Sequence, residues 1–446
     1  MNQAFVDYFR CPESLVKLEP LWNQVSSMKE GYFKFGPDAI CYGKSPLATD
    51  SLEAQLSDAF ASTQIDGKIC RLPFSPTEVA DNLRFERYEK TVDSSFWKNV
   101  IREVYYALRP AFPVAFRRHL QRIWLRDWRK RPFPRWPVDR SIDQMFERLM
   151  HLAIQSQGGI EIPFIWFWPE ARSSCAIMTH DVESATGLAF TSQLMDINDS
   201  FSIKSSFQLI PDARYVVTPE ILASIKTRGF EVNVHDLKHD GHLYDNHDRF
   251  RQAALKINAF IDQFESKGFR SGALYRNQEW YSEFRFSYDM SVPNVAHLDP
   301  QRGGCCTVMP YFVGDILEIP VTMTQDHTLF NVLETYSLDL WREQMDLIMK
   351  QHGLISFIVH PDYIQTTKSR DAYLQLLAHL SEIRSNAGLW IAPPGEVNTW
   401  WRQRAKMRLV GKGEQWHIEG DGADRARIAY ATISNNSLSY RLTSGC

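Results

Sequence analysis

Two acids, three histidines and an arginine carry the chemistry that this sequence offers. The stretch Cys175-Ala-Ile-Met-Thr-His-Asp-Val-Glu183 runs from small and apolar residues into a polar tip. A short apolar run of this kind reads as a buried strand. Asp181 and Glu183 are two residues apart, so while strand geometry lasts both carboxylates point to one side. Such a pair can divide its labour, one carboxylate binding a metal and the other handling a proton. The alternative is a pair of solvated turn acids. A second signal is Gly229-Phe-Glu-Val-Asn-Val-His-Asp-Leu-Lys-His239. Read as a helical turn, it sets His235 and His239 on one face, a spacing that lets two imidazoles reach one ion. Coincidental surface histidines are the competing reading, and His242 and His247 stand nearby. Arg270 lies in a candidate strand, where it could keep a carboxylate ionised and oriented or form an ordinary salt bridge. Leu354 to Asp362 delivers His360 at a strand end, as an acid/base group or a satisfied core histidine. Asp289 ends a further strand and could tune that histidine.

These groups need strand ends to hold them. From Cys175 onward the pattern alternates. Candidate strands are 175–180, 203–209, 230–234, 269–275, 286–289, 315–321, 354–359 and 388–392. Candidate helices are 219–228, 248–266, 332–350 and 370–384. Pro219 opens the first of these helices, and Gly229 and Gly268 follow the first two as stop signals. Strands alternating with helices of this length imply a mostly parallel sheet with crossover helices. About eight strands over this span suit a (β/α) barrel better than an open sheet. Ligands in such folds sit beyond the carboxyl ends of the strands.

With 446 residues and 51.7 kDa, the chain predicts two or three domains. The expected division is an N-terminal domain over 1–170, mainly helical, a barrel over 171–400 and a small β-rich appendage over 401–446. The net charge of −3 gives no global preference for polyanions or membranes. No signal peptide or membrane-spanning run is evident. Seven scattered cysteines without a CxxC pair indicate neither a disulfide scaffold nor a zinc knuckle. A cytoplasmic location follows as the expectation.

The first 170 residues show no nucleotide loop or metal-ligand spacing. Helical periodicity is visible over 50–61, 93–108 and 142–154. Arg102 to Arg140 holds ten arginines and one lysine against three acids, with Trp124, Trp128 and Trp136 among its aromatics. Three readings compete for this segment. It could be a surface helix packed on its own domain, a peripheral contact with an anionic membrane at the inner face, or a nucleic-acid surface. No nucleic-acid motif accompanies it, so nucleic acid is the least favoured.

The order of these motifs resembles that of the polysaccharide deacetylase family, the chitooligosaccharide deacetylase homology domain, over about residues 172–395. Gly229 to His239 looks like the family's metal motif. Thr179-His-Asp-Val-Glu183 resembles a variant first motif found in some branches. The resemblance implies a distorted (β/α) barrel of about seven or eight strands and removal of acyl groups from amino sugars with a divalent metal. By position it makes Asp181 the general base, Glu183, His235 and His239 the metal ligands, Arg270 the orienting group and His360 the general acid, with Asp289 as its partner. The metal implied is zinc, or cobalt or another first-row ion. The chain departs from the pattern in three places. The usual adjacent aspartate pair is Asp-Val-Glu, the usual Pro-Tyr is Ser271-Gly-Ala-Leu-Tyr275, and a tryptophan near the fourth motif is absent.

The expected function is therefore a metal-dependent hydrolase that removes an N-acyl group, acetyl being expected, from an amino sugar of a polysaccharide or glycan precursor. Two alternatives stay open. One is a C–N hydrolase acting on a non-sugar amide or cyclic imide, and the other is a non-catalytic carbohydrate-binding relative.

Overall fold

A computed structural model describes residues 2–21, 28–91, 123, 125–413 and 415–443. The expected helix over 93–108, and most of the basic segment 102–140, lie outside the described residues.

The N-terminal part combines helices with small sheets. Helix α1 (Gln3–Phe9) precedes strands β1 (Leu18–Pro20), β2 (Lys29–Phe35), β3 (Ala39–Ser45), β4 (Gln64–Asp66) and β5 (Ile69–Leu72). Helix α2 (Pro76–Arg84) starts at Ser75, whose hydroxyl accepts from the Glu78 amide as an N-cap. Helix α3 (Ser141–Ser156) follows, close to its expected span. Beside these helices, among the described residues, β1, β5 and β4 form one sheet and β2 and β3 a second. The periodicity over 50–61 is not a helix. Only Ala59–Ser62 makes a 3₁₀ turn, and Ser51, Glu53, Gln55 and Ser57 leave that stretch too polar for a packed face.

Strand β6 (Ile162–Ile165) leads into the barrel. Its strands are β7 (Cys175–Val182), β8 (Ser206–Leu209), β9 (Glu231–His235), β10 (Gly268–Arg270), β11 (Tyr288–Asp289), β12 (Tyr311–Val313), β13 (Ile316–Glu318), β14 (Leu354–Ile358) and β15 (Trp390–Ile391). The sheet order is β12-β13-β11-β10-β9-β8-β7-β14, and β15 pairs the start of β7. Every pairing is parallel except β12 with β13, a hairpin where one strand over 315–321 was expected. The sheet curls into a partial barrel. Residues beyond β13 bridge toward β14, with the Met323 amide donating to the Ser356 carbonyl at 3.2 Å. All eight residues of β7 are buried, as a central parallel strand covered on both faces must be.

Crossover helices are α4 (Ala185–Ser200), α5 (Pro219–Thr227), α6 (His247–Gln263), α7 (Asp339–Met349) and α8 (Thr367–Ala387). Helix α4 was not among the expected helices. Gly187, Thr191 and Asn198 fall on its buried side, so no clean apolar stripe advertises it. Ser184 caps it, its hydroxyl accepting from the Gly187 amide.

Helix α9 (Pro394–Lys406) carries the chain out of the barrel into strands β16 (Arg408–Lys412), β17 (Gln415–Glu419), β18 (Ile428–Ser434) and β19 (Ser437–Leu442). Strand β18 pairs with β6, which joins the C-terminal strands to the segment before the barrel. One apolar cluster runs from Phe5 and Phe9 through Phe146 and Phe164 to Trp400 and Ala429. No described helix is long and apolar enough to cross a membrane.

Candidate metal and acid-base centre

Strand alternation does the first part of the positioning. Thr179, Asp181 and Glu183 take the barrel side of β7 and its continuation, while His180 turns the other way. His180 Nδ1 meets the Val359 carbonyl at 2.9 Å, and its Nε2 lies 3.0 Å from Asn198 Nδ2. Burial pushes His180 down to about 4, so it is a neutral core group.

Asp181 is held from behind. Arg270, with no solvent exposure, donates from Nη1 to Asp181 Oδ1 and to Thr179 Oγ1, each at 2.7 Å. Its Nε donates to the Met290 carbonyl at 2.9 Å. Burial alone would raise the Asp181 carboxyl, but the Arg270 charge and the facing His235 and His360 hold it below the usual carboxylate range.

Glu183, His235 and His239 converge, with one ligand atom from each lying within 4.8 Å of the others. The convergence does not come from a helical turn, and that expectation is corrected. His235 is the last residue of β9, and the chain then turns through Asp236 (φ 55°) and His239 (φ 54°). The Gly272 amide donates to Asp236 Oδ2 at 3.2 Å, pinning this loop against the end of β10. A Cβ at Gly272 would collide with that carboxylate and crowd the His239 ring, so a larger residue there would push the Asp236 side chain aside.

A cation fits this trio. His235 Nδ1 lies 3.0 Å from the Arg270 carbonyl, which can only accept, so that nitrogen carries the hydrogen. The other nitrogen, Nε2, is buried without a hydrogen-bond partner and faces Asp181 Oδ2 at 3.8 Å and Glu183 Oε1 at 3.9 Å. A lone pair aimed at two carboxylates is repulsive unless a positive charge lies between them. His239 Nε2 approaches Glu183 Oε1 at 2.8 Å without hydrogen-bond alignment. The side chain of Glu183 is 28% exposed against 1% for His235, so the centre opens to solvent at Glu183.

His360 stands opposite. Its Nδ1 donates to Asp326 Oδ1 at 2.7 Å, its amide donates to Asp326 Oδ2 at 2.7 Å, and its Nε2 lies 3.6 Å from Glu183 Oε1. Burial would lower this imidazole, but the Asp326 and Glu183 charges raise it well above the ordinary histidine value. The expected partner Asp289 is therefore replaced by Asp326. Asp289 instead accepts from Tyr281 and Ser291, held there by the short pairing of β11 with β10 and β13. Sequence reading passed over Asp326, although an acid just beyond a candidate strand was the available signal.

The basic-aromatic segment is described only in part. Trp136 stacks on His297 and meets Trp128 edge-on, and Arg135 and Arg148 lie within ion-pair distance of Asp38. These described residues pack on their own chain.

No family model matches the sequence, and no curated protein matches it. Among solved structures, a proposed polysaccharide deacetylase from Mycobacterium smegmatis is 19% identical with a TM-score of 0.42, over 56% of this chain and 98% of that one. Puue allantoinase is 12% identical with a TM-score of 0.41, over 53% of this chain and 92% of that one. Peptidoglycan deacetylase PdaC from Bacillus subtilis is 15% identical with a TM-score of 0.32, over 52% of this chain and 94% of that one. Likenesses of this size leave the chain's chemistry to its own residues.

Proposed function

We propose that this chain is a metal-dependent hydrolase that removes an N-acyl group, acetyl in the first instance, from an amino sugar of a glycan or glycan precursor. The observation that carries the reading is the Glu183, His235 and His239 trio flanked by two separately tuned acid/base pairs, Asp181 with Arg270 and His360 with Asp326.

Glu183, His235 and His239 would hold a divalent ion, for which two imidazoles and a carboxylate suit zinc or cobalt. Such an ion would supply Lewis-acid polarisation of the acyl oxygen and a water acidic enough to lose its proton near neutrality. Asp181 takes that proton. Arg270 keeps Asp181 ionised and fixes which oxygen faces the centre. The Asp326 and Glu183 charges keep His360 doubly protonated, so with Nδ1 donating to Asp326 its other proton sits on Nε2, the nitrogen facing the centre. It delivers that proton to the departing amine as the C–N bond breaks.

The test is direct. Purified chain is loaded with zinc or cobalt and offered N-acetyl amino sugars, with release of acetate and free amine followed. Loss of turnover in Asp181→Asn with metal content intact supports the reading. Turnover of cyclic imides but not of N-acetyl sugars would move the substrate to that alternative. No metal uptake and no hydrolysis would refute the reading.

A further inference from the structure

Asp289 and Glu318 stand opposite each other in the register of β11 and β13, and both are fully buried. Two carboxylates this close in a dry interior repel too strongly for both to ionise. The surroundings supply little relief. Arg276, the cation whose charge reaches Glu318, is itself paired with Glu86. Tyr244, Tyr281, Tyr311 and Cys305 face the same region, each pushed up chiefly by burial, so they stay neutral.

The hydrogen bonds show where one proton belongs. Asp289 already accepts from the Ser291 amide at 2.9 Å, the Ser291 hydroxyl at 2.8 Å and the Tyr281 hydroxyl at 2.7 Å. Glu318 Oε1 accepts from the Val292 amide at 3.0 Å, but Oε2 is buried without a partner. We propose that Glu318 carries a proton on Oε2 at neutral pH and donates it to the Asp289 carboxylate, and that this one-proton pair positions Arg270. Burial and then the Asp289 charge push Glu318 well above the usual carboxylate range, in agreement.

The route to Arg270 is short. Ser291, fixed by Asp289, accepts the Ser271 amide on its hydroxyl at 2.9 Å. Met290, between Asp289 and the Ser291 that it fixes, presents the carbonyl that takes Arg270 Nε. Asp289 is thus a positioning residue two contacts behind Asp181, and its role rests on Asp181 being the base.

The test needs neither metal nor substrate, so its outcome is separate from that of the hydrolase reading. Infrared difference spectra of wild type against Glu318→Gln should show a protonated-carboxyl stretch at neutral pH that the variant lacks. Nuclear magnetic resonance then follows exchange of the Arg270 Nε hydrogen. Glu318→Gln, whose amide can still donate to Asp289, should leave that exchange unchanged. Glu318→Leu should speed it on the order of tenfold, the value of about one net hydrogen bond. If Glu318→Leu does not fold, Ser291→Ala cuts the same route and should give the same rise. Absence of the protonated-carboxyl stretch overturns the shared proton. Unchanged exchange in Glu318→Leu or Ser291→Ala overturns the positioning role.

Discussion

Arg270 Nη1 lies 2.7 Å from Asp181 Oδ1, and neither side chain has more than 5% of its surface in solvent. Breaking a buried ion pair by removing one partner typically costs about 3–5 kcal/mol, because the other charge is left unpaired. Arg270→Met should therefore destabilise the fold and also release Asp181. With the Arg270 charge gone, burial is opposed by His235 and His360 alone, so the Asp181 carboxyl rises and holds its proton to higher pH. The low-pH limb of the rate profile should move to higher pH. Denaturant melts and pH–rate profiles check the two effects. A low-pH limb left in place would show that Asp181 is not the base.

The Asp326 and His360 pair makes the opposite prediction. His360 is raised by Asp326, so its proton is present through the neutral range and leaves only as pH climbs past the raised value. Asp326→Asn removes the charge but can preserve one hydrogen bond. The high-pH limb should then fall toward the ordinary histidine value. Outright loss in His360→Ala should be on the order of 10²- to 10⁴-fold, the usual contribution of a positioned general acid. Asp289→Asn should leave the high-pH limb where it is, since Asp289 does not touch His360.

How much of this centre the sequence disclosed depends on chain separation. Asp181, Glu183, His235, Arg270 and His360 were legible because each stands at or just past a strand end, where strand periodicity and residue type suffice. The pairing of His360 was not. Asp289 and Asp326 are both acids beyond candidate strands, and only the closing of the barrel between β13 and β14 brings the second to His360. His239 was legible for the wrong reason. Its reach to Glu183 depends on positive-φ turns at Asp236 and His239 and on the Gly272 contact, none of which follows from an i, i+4 spacing. Helix α4 was hidden by the polar residues that it buries, Asn198 among them, which bonds Tyr373 and His180.

Metal uptake should be measurable without turnover. A ligand that binds only the folded state at 100 times its dissociation constant stabilises by about 2.7 kcal/mol. Zinc should raise the melting temperature of the wild type and a chelator should reverse the rise. His235→Ala should abolish the response, and Glu183→Asp should weaken it, because the shorter side chain withdraws the oxygen that now reaches His239. A response that survives in His235→Ala would place the ion elsewhere.

The barrel should not survive as an isolated unit. Arg404 of α9, almost wholly buried, donates from Nε to the Trp166 carbonyl at 3.0 Å. Its Nη2 donates to the carbonyls of Ile165, Tyr8 and Phe9 at 2.7, 2.9 and 3.2 Å. One guanidinium thus ties the N-terminal helix and the strand before the barrel to the helix that follows it. Each buried carbonyl left without a donor costs on the order of 1–3 kcal/mol. Arg404→Met keeps much of the bulk while orphaning these acceptors, so it should lose several kcal/mol in a urea melt. Excision of residues 1–156 would also strip Phe5, Phe9 and Phe146 from the cluster shared with Trp400 and Ala429. A fragment beginning near residue 172 should accordingly be insoluble or show no cooperative transition. A soluble fragment with a sharp melt would show instead that the barrel folds independently of the residues before it.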